Sequence, residues 1–305
     1  MSDQSACCPE HPDRPSAGTC ARCGRFACEA CFDPATALCS TCRARMADSL
    51  GVRSASFSVS QALGGAWKLL GAVPATVAGI SAVLALAEVV SVILAGVDPR
   101  ALQARIRSGQ PYSAELVTPL LLAAARGLTL GVWLRGALLA QMASVVQGEA
   151  AALPQSLKRG LAAWPRLLGA QVVAGLLTGL GIMLCCLPGL YAAVTVSLVL
   201  PIAYLEPGAS VVDGSAELTR GHRWEMLALV LVTFGSIMAV AMTGGVLTRV
   251  AISADVPEPV RLTVSFFTTF GVELAACFGV GLSLAAYHGL KNSRARDAAP
   301  PAPVA

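Results

Sequence analysis

Cys8-Pro9-Glu10-His11, Cys20-Ala21-Arg22-Cys23, Cys28-Glu29-Ala30-Cys31 and Cys39-Ser40-Thr41-Cys42 place eight potential metal ligands in four pairs, each with a two-residue spacer. Such a spacer lets both side chains of a pair leave one turn toward the same tetrahedral ion. Eight ligands, four to an ion, fill two closed zinc sites and leave no open position for chemistry. Between Cys8 and Cys42 the sizeable apolar side chains are Phe26, Phe32 and Leu38 alone. That is too little for a core, so bound Zn²⁺ is expected to supply the folding free energy. Gly24 follows Cys23, where a knuckle needs a residue tolerant of left-handed backbone. The loops between pairs are eight, four and seven residues long. Spacing therefore allows either adjacent or alternate pairs to share an ion, and Cys7 offers a longer Cys-x3-His pair besides.

Charge narrows what such a module can bind. Six basic and six acidic residues lie between Met1 and Arg53, and seven thiolates on two Zn²⁺ tip that balance negative. A phosphate-binding surface needs a positive excess, so nucleic acid is excluded as a partner and protein contact remains. The first 56 residues hold no apolar run of signal-peptide length. Reduced thiols in a cytoplasmic setting are expected, rather than disulfides.

Beyond residue 56 the chain changes character. Of its 305 residues 55% are hydrophobic and 13% charged, about half the charged fraction of a soluble domain, and the mean hydropathy is +0.66. Six apolar runs follow: Leu69–Val97, Leu116–Val146, Leu167–Leu187, Leu190–Leu205, Met226–Thr248 and Leu262–Leu290. About 20 residues span a bilayer; Leu190–Leu205 is short and contains Pro201, so it crosses obliquely or dips partway. The expected fold is an all-α polytopic membrane protein of about six transmembrane helices, with interfacial amphipathic helices and a small N-terminal zinc-binding module. Its parts are a cytoplasmic finger (1–46), a linker (47–56), a membrane domain (57–290) and a disordered Ala/Pro-rich tail (291–305). With the N-terminus inside, the short inner connections carry twelve basic residues and the outer ones five, which favours both termini in the cytoplasm. Trp67-Lys68-Leu69-Leu70-Gly71 is echoed by Trp164-Pro165-Arg166-Leu167-Leu168-Gly169, and Trp224 ends a third such entry. Three units are expected, each an interfacial helix followed by a two-span hairpin.

Charges inside the apolar runs are costly, about 2.5–3.5 kcal/mol each at a helix centre. Counted from the outer ends of their runs, Glu88, Arg126 and Glu273 fall at one depth and are expected to meet as a carboxylate–guanidinium–carboxylate cluster. Arg135 lies nine residues from Arg126, on the opposite helix face, and needs another partner. Such a cluster is a structural clamp, or else a proton- or solute-binding site. Gly175-x3-Gly179 and Gly271-x3-Ala275-x3-Gly279 would permit close helix packing.

The order Cys8-x2-His11-Pro12, Cys20-x2-Cys23-Gly24, Cys28-x2-Cys31, Cys39-x2-Cys42 resembles the B-box class of zinc finger, in the form that precedes membrane domains in bacterial proteins. The resemblance implies a cross-braced arrangement. Cys8, His11, Cys28 and Cys31 would hold one Zn²⁺, and Cys20, Cys23, Cys39 and Cys42 the other. A second resemblance runs from Leu187 to Trp224: Leu187-Pro188-Gly189-x-Tyr191, Leu200-Pro201-x4-Glu206, Asp213-x-Ser215 and Leu218-Thr219-x-Gly221-His222-x-Trp224. These are similar to the membrane domain attached to some bacterial glycerophosphodiester phosphodiesterases and to related integral membrane proteins. It implies a six-helix fold in the bacterial inner membrane. It does not carry phosphodiesterase activity, which resides in a separate barrel domain. Fingers of this type also precede intramembrane serine proteases, yet His288 shares a helix with Ser283 and His222 is interfacial, so neither serves Ser283 as a base. No phosphate loop or zinc-hydrolase motif is present. A non-enzymatic role is expected, mediating protein interaction or assembly at the membrane. The alternative is a small-solute or lipid-handling domain capped by the finger.

Overall fold

A computed structural model describes residues 7–33, 38–42, 57–95, 114–149, 152–254 and 256–297. The proposed linker, most of the C-terminal tail and the first extramembrane loop lie outside the described residues. Three two-stranded antiparallel sheets form the N-terminal module: β1 (Cys7–Cys8) with β2 (His11–Pro15), β3 (Gly18–Thr19) with β4 (Phe26–Ala27), and β5 (Phe32–Asp33) with β6 (Leu38–Cys39). Among the described residues ten α-helices follow: α1 Val59–Ala72, α2 Pro74–Ala95, α3 Ala114–Arg126, α4 Val132–Gln147, α5 Leu153–Leu184, α6 Cys186–Thr195, α7 Val199–Leu205, α8 Val211–Thr219, α9 Arg223–Ser253 and α10 Glu258–Asp297. A π-helical segment, Gly127–Gly131, joins α3 to α4.

Among the described residues six stretches are long and apolar enough to cross a bilayer: Pro74–Leu94, Leu121–Gln147, Leu153–Leu184, Leu187–Leu205, Arg223–Ser253 and Glu258–Arg294. Only 11% of the apolar stretch of α9 and 17% of that of α5 is buried within the protein. Leu176, Leu180, Met183, Met242 and Val246 are accordingly exposed. Apolar surface on this scale is stable against lipid and not against water. The chain is a multi-pass membrane protein.

The last helix is the centre post. α10 packs on α1, α2, α4 and α9, and more lightly on α7. Leu69, Leu84, Leu138, Met142 and Leu284 close one core around it, and Ala66, Leu198, Ile202, Met226 and Tyr287 close another. Gly271 and Gly279 of α10 press on Val240 and Thr233 of α9, whose side chains lie 2.9 and 2.7 Å from where a Cβ would sit. Gly175 and Gly179 have nothing within 4 Å, so that expected stripe is not a packing seam here. The tightest seam joins α4 to α5, where a Cβ on Gly160 would lie 2.5 Å from the Ala137 backbone nitrogen. Gly160→Val is expected to force the two helices apart, costing about 1–3 kcal/mol. An unchanged melting temperature in detergent would contradict that contact.

Two further features differ from the sequence expectation. The second Trp-containing entry is not a separate interfacial helix, because α5 runs unbroken from Leu153 through Trp164 and Pro165 to Leu184. Arg166 donates to the Ala203 carbonyl at 3.1 Å, and Trp164 Nε1 donates at 3.1 Å to Thr129 O in the π segment. These contacts tie α5 to its neighbours along that stretch. The 291–305 tail is helical as far as Asp297, because Lys291 pairs with Glu206 at 2.5 Å and Arg294 with Glu217.

The Leu187–Trp224 motifs acquire physical reasons. A Cβ on Gly189 would strike Ile182 backbone and side chain at 2.4–2.8 Å, so glycine lets α6 fold back on α5. The fourth apolar stretch breaks between α6 and α7. Ser215 Oγ patches the break, donating to Thr195 O at 2.5 Å and accepting from Leu198 N at 3.3 Å. Glu206 accepts from Tyr287 and Lys291 at 2.5 Å each; these bonds hold its carboxyl below the usual range. Gly221, at φ 94°, turns the chain into α9.

Candidate metal centre and intramembrane ion pairs

Short hairpins deliver the ligands. Gly24, at φ 72°, donates its amide to Cys20 O at 2.9 Å and closes one knuckle; the amides of Cys31 and Phe32 close another on Cys28 O. Alternate pairs come together. Cys8, His11, Cys28 and Cys31 form one group and Cys20, Cys23, Cys39 and Cys42 the other, with ligand atoms within 4.8 Å of one another in each. Cys8 is buried in its group, whereas Cys7 is exposed.

The spacing of the donors discriminates between metal and disulfide. Tetrahedral Zn–S bonds of about 2.3 Å and Zn–N bonds of about 2.0–2.1 Å require S···S edges near 3.8 Å and S···N edges near 3.6 Å. Cys23 Sγ lies 3.8 Å from Cys39 Sγ, and His11 Nδ1 lies 3.6 Å from Cys28 Sγ and 3.2 Å from Cys31 Sγ. A disulfide needs about 2.05 Å, and the ligand cysteines are all free thiols. Both groups could hold a metal ion, and sulfur-rich tetrahedral sets suit soft or borderline cations.

Electrostatics point the same way. The Cys28 amide is the main influence bringing Cys8 down to about 6. Burial opposes ionisation of Cys20, but amides of Cys39, Cys23 and Arg22 outweigh it and bring that thiol to about 6. Burial, then Cys28 and Cys8, push Cys31 up to about 12. Contact with Cys23, then burial, pushes Cys42 up to about 12. Clustered sulfurs cannot all ionise without a cation among them. Backbone amides aimed at sulfur are the outer support that metal–thiolate sites use.

Glu10 is a residue the sequence reading passed over. Its carboxylate accepts from Thr41 Oγ1 at 2.6 Å and Ser40 Oγ at 3.2 Å, and meets Cys31 Sγ at 3.5 Å. Thr41 above all, then Cys31 and Ser40, hold it below the usual carboxylate range. It thereby stitches the Cys8–His11 knuckle to the Cys39–Cys42 knuckle. An acid placed inside one ligand pair, opposite two hydroxyls inside another, was the available signal.

No protein-family model, curated protein or solved structure matches the chain.

Within the membrane domain the expected three-residue cluster resolves into two pairs. Arg126 pairs with Glu88 and donates to Leu84 O at 3.1 Å. Glu273 instead accepts from Arg135 Nη2 at 2.8 Å. Two physical reasons redirect Glu273. The π segment takes up an extra residue per turn, which rotates α4 by about a quarter-turn and swings Arg135 off the face opposite Arg126. In addition, α3 lies against α2 while α4 lies against α10, so the two arginines meet different neighbours. The Glu273 side chain is 10% exposed and that of Arg135 29%. The Nε atoms of both arginines are enclosed and find no acceptor among the described residues.

Proposed function

We propose that the chain is a non-enzymatic protein of the bacterial inner membrane whose two-zinc finger works in the cytoplasm as a protein-docking handle. The completeness of both donor sets carries this reading: four ligands to each group leave no position for a reacting water. Zinc fits the sulfur and imidazole donors and the 3.8 Å Cys23–Cys39 and 3.6 Å His11–Cys28 edges, and four-coordinate closed sites are structural. The excess of basic residues on one set of connections and the need for reduced thiols favour a cytoplasmic N-terminus. A negative charge balance turns the surface from nucleic acid toward protein. Phe26 supports that direction, standing 46% exposed between Arg25 and the Cys28 knuckle. An exposed aromatic beside an arginine is typical of a contact centre.

A photocrosslinking amino acid at position 26 is expected to give one discrete protein adduct in intact cells, lost in Cys28→Ser. Deleting residues 1–53 should leave membrane insertion intact and abolish the phenotype of the gene. Full function in the deletion would overturn the docking role. Metal-independent crosslinking would overturn the role of the folded finger.

A further inference from the structure

A second site lies in the membrane domain, away from the finger. A cavity of about 330 Å³ is walled by α4, α5, α6, α7, α9 and α10, with Ser197 entering from the break between α6 and α7. Its polar residues are Arg135, Gln171, Ser197, Thr233 and Ser283, and the rest of the wall is apolar or glycine. Phe234, on the α9 wall, is 59% exposed at the surface, so the cavity opens sideways through the lipid-facing side. α9 leans on α10 along its length and meets α6 lightly, with Arg223 lying 5.1 Å from the centroid of the Tyr191 ring.

The hydrogen bonds decide what the cavity can hold. Ser197, Thr233 and Ser283 spend their protons on helix carbonyls, those of Val194, Leu229 and Val280, at 2.8–3.0 Å. Donors toward the cavity are therefore left to the guanidinium of Arg135 and the amide of Gln171. A head group held by the guanidinium must accept hydrogen bonds, because that group only donates. It must also be uncharged: Glu273 already balances Arg135 at 2.8 Å, and an added anion would stand uncompensated in a low dielectric. The volume is at the small end of ligand sites, enough for one hydrocarbon chain and not for the two of a phospholipid.

We infer that this cavity is a lateral binding site for a neutral single-chain amphiphile whose carbonyl or hydroxyl head is held by Arg135 and Gln171. The Arg135–Glu273 pair thus presents a donor whose charge is already matched. Nothing in this assignment depends on the finger.

The test uses a diazirine-bearing monoacylglycerol on full-length protein in nanodiscs, with labelled peptides mapped by mass spectrometry. Saturable labelling is expected on the α9 segment around Phe234 and the α10 segment around Ala276. Ala276→Leu fills the cavity and should reduce that labelling about tenfold. Arg135→Lys keeps the charge for Glu273 but removes the guanidinium fork, and should weaken competition by unlabelled monoacylglycerol about tenfold, the scale of one charged hydrogen bond. Palmitate should compete poorly at neutral pH. Label spread over the outward faces of α5 and α9, unchanged by Ala276→Leu, would overturn the site. Palmitate competing as well as the monoacylglycerol would overturn the neutral-head assignment. Loss of labelling together with loss of the wild-type elution peak in gel filtration would mark a misfolded variant, and Ser197→Leu then fills the same cavity from another wall.

Discussion

Purified protein is expected to contain two zinc ions per chain, falling to one in Cys28→Ser and to none after chelation, with the finger unfolding as the metal leaves. Structural Zn²⁺ binding in finger peptides is worth about 10–16 kcal/mol at neutral pH. The finger has little to set against such a loss. Its buried cluster is six cysteines and Ala27, with Phe32 and Leu38 only partly enclosed, and Phe26 exposed. No hydrophobic core remains when the ions are removed. Proteolysis within residues 7–42 should therefore accelerate by orders of magnitude in excess chelator, while the membrane helices stay protected. Metal analysis by mass spectrometry gives the count. A protease-resistant finger after complete metal removal would show that the fold does not depend on metal. A count of one in the wild type would dismiss the paired-site reading. Lower pH should weaken binding, because protons compete for thiolates that must be ionised to bind.

The second large effect belongs to Glu273. Removing this carboxylate leaves Arg135 enclosed without its counter-ion, a loss of about 3–5 kcal/mol for a buried pair. The 29% exposure of the Arg135 side chain argues for the lower end. Glu273→Ala is expected to lower the melting temperature in detergent sharply, and Glu273→Ala with Arg135→Leu to recover most of it. The same cycle run against Arg126→Leu should be additive, since Arg126 is held by Glu88 and Leu84 O. Strong coupling of Glu273 to Arg126 would restore the single cluster that the charge spacing implied.

How far the sequence reaches is clear from particular residues. The six spans are legible because 20-residue apolar runs have few other uses. The cysteine and histidine pairs are legible because two-residue spacers serve metal geometry. Spacing alone does not give their grouping, since either assignment satisfies the loops; the resemblance in ligand order implied alternate pairs, and the structure brings those pairs together, with Cys23 Sγ 3.8 Å from Cys39 Sγ. The partner of Arg135 was hidden for a different reason. Helical counting assumes 100° per residue throughout, and Gly127–Gly131 departs from it. Gly-Leu-Thr-Leu-Gly carries no mark of a π segment; its irregularity is supported from outside, where Trp164 satisfies the Thr129 carbonyl. The continuous α5 was hidden likewise, because an interfacial helix and the first turns of a long one share the same periodicity. Ser215 and Glu206 stood in the quoted motifs, but their tasks, mending a broken helix and fastening α10, exist only in three dimensions.

The central position of α10 also has a bearing on how the protein is made. Chains are synthesised from the N-terminus and fold as segments emerge, yet the helix on which α1, α2, α4 and α9 pack is translated after all four of them. Until residue 273 has been translated and inserted, Arg135 waits in the membrane without its carboxylate. The bundle therefore consolidates only once α10 has been inserted. A prematurely terminated chain carries an exposed intramembrane charge that quality-control proteases can recognise.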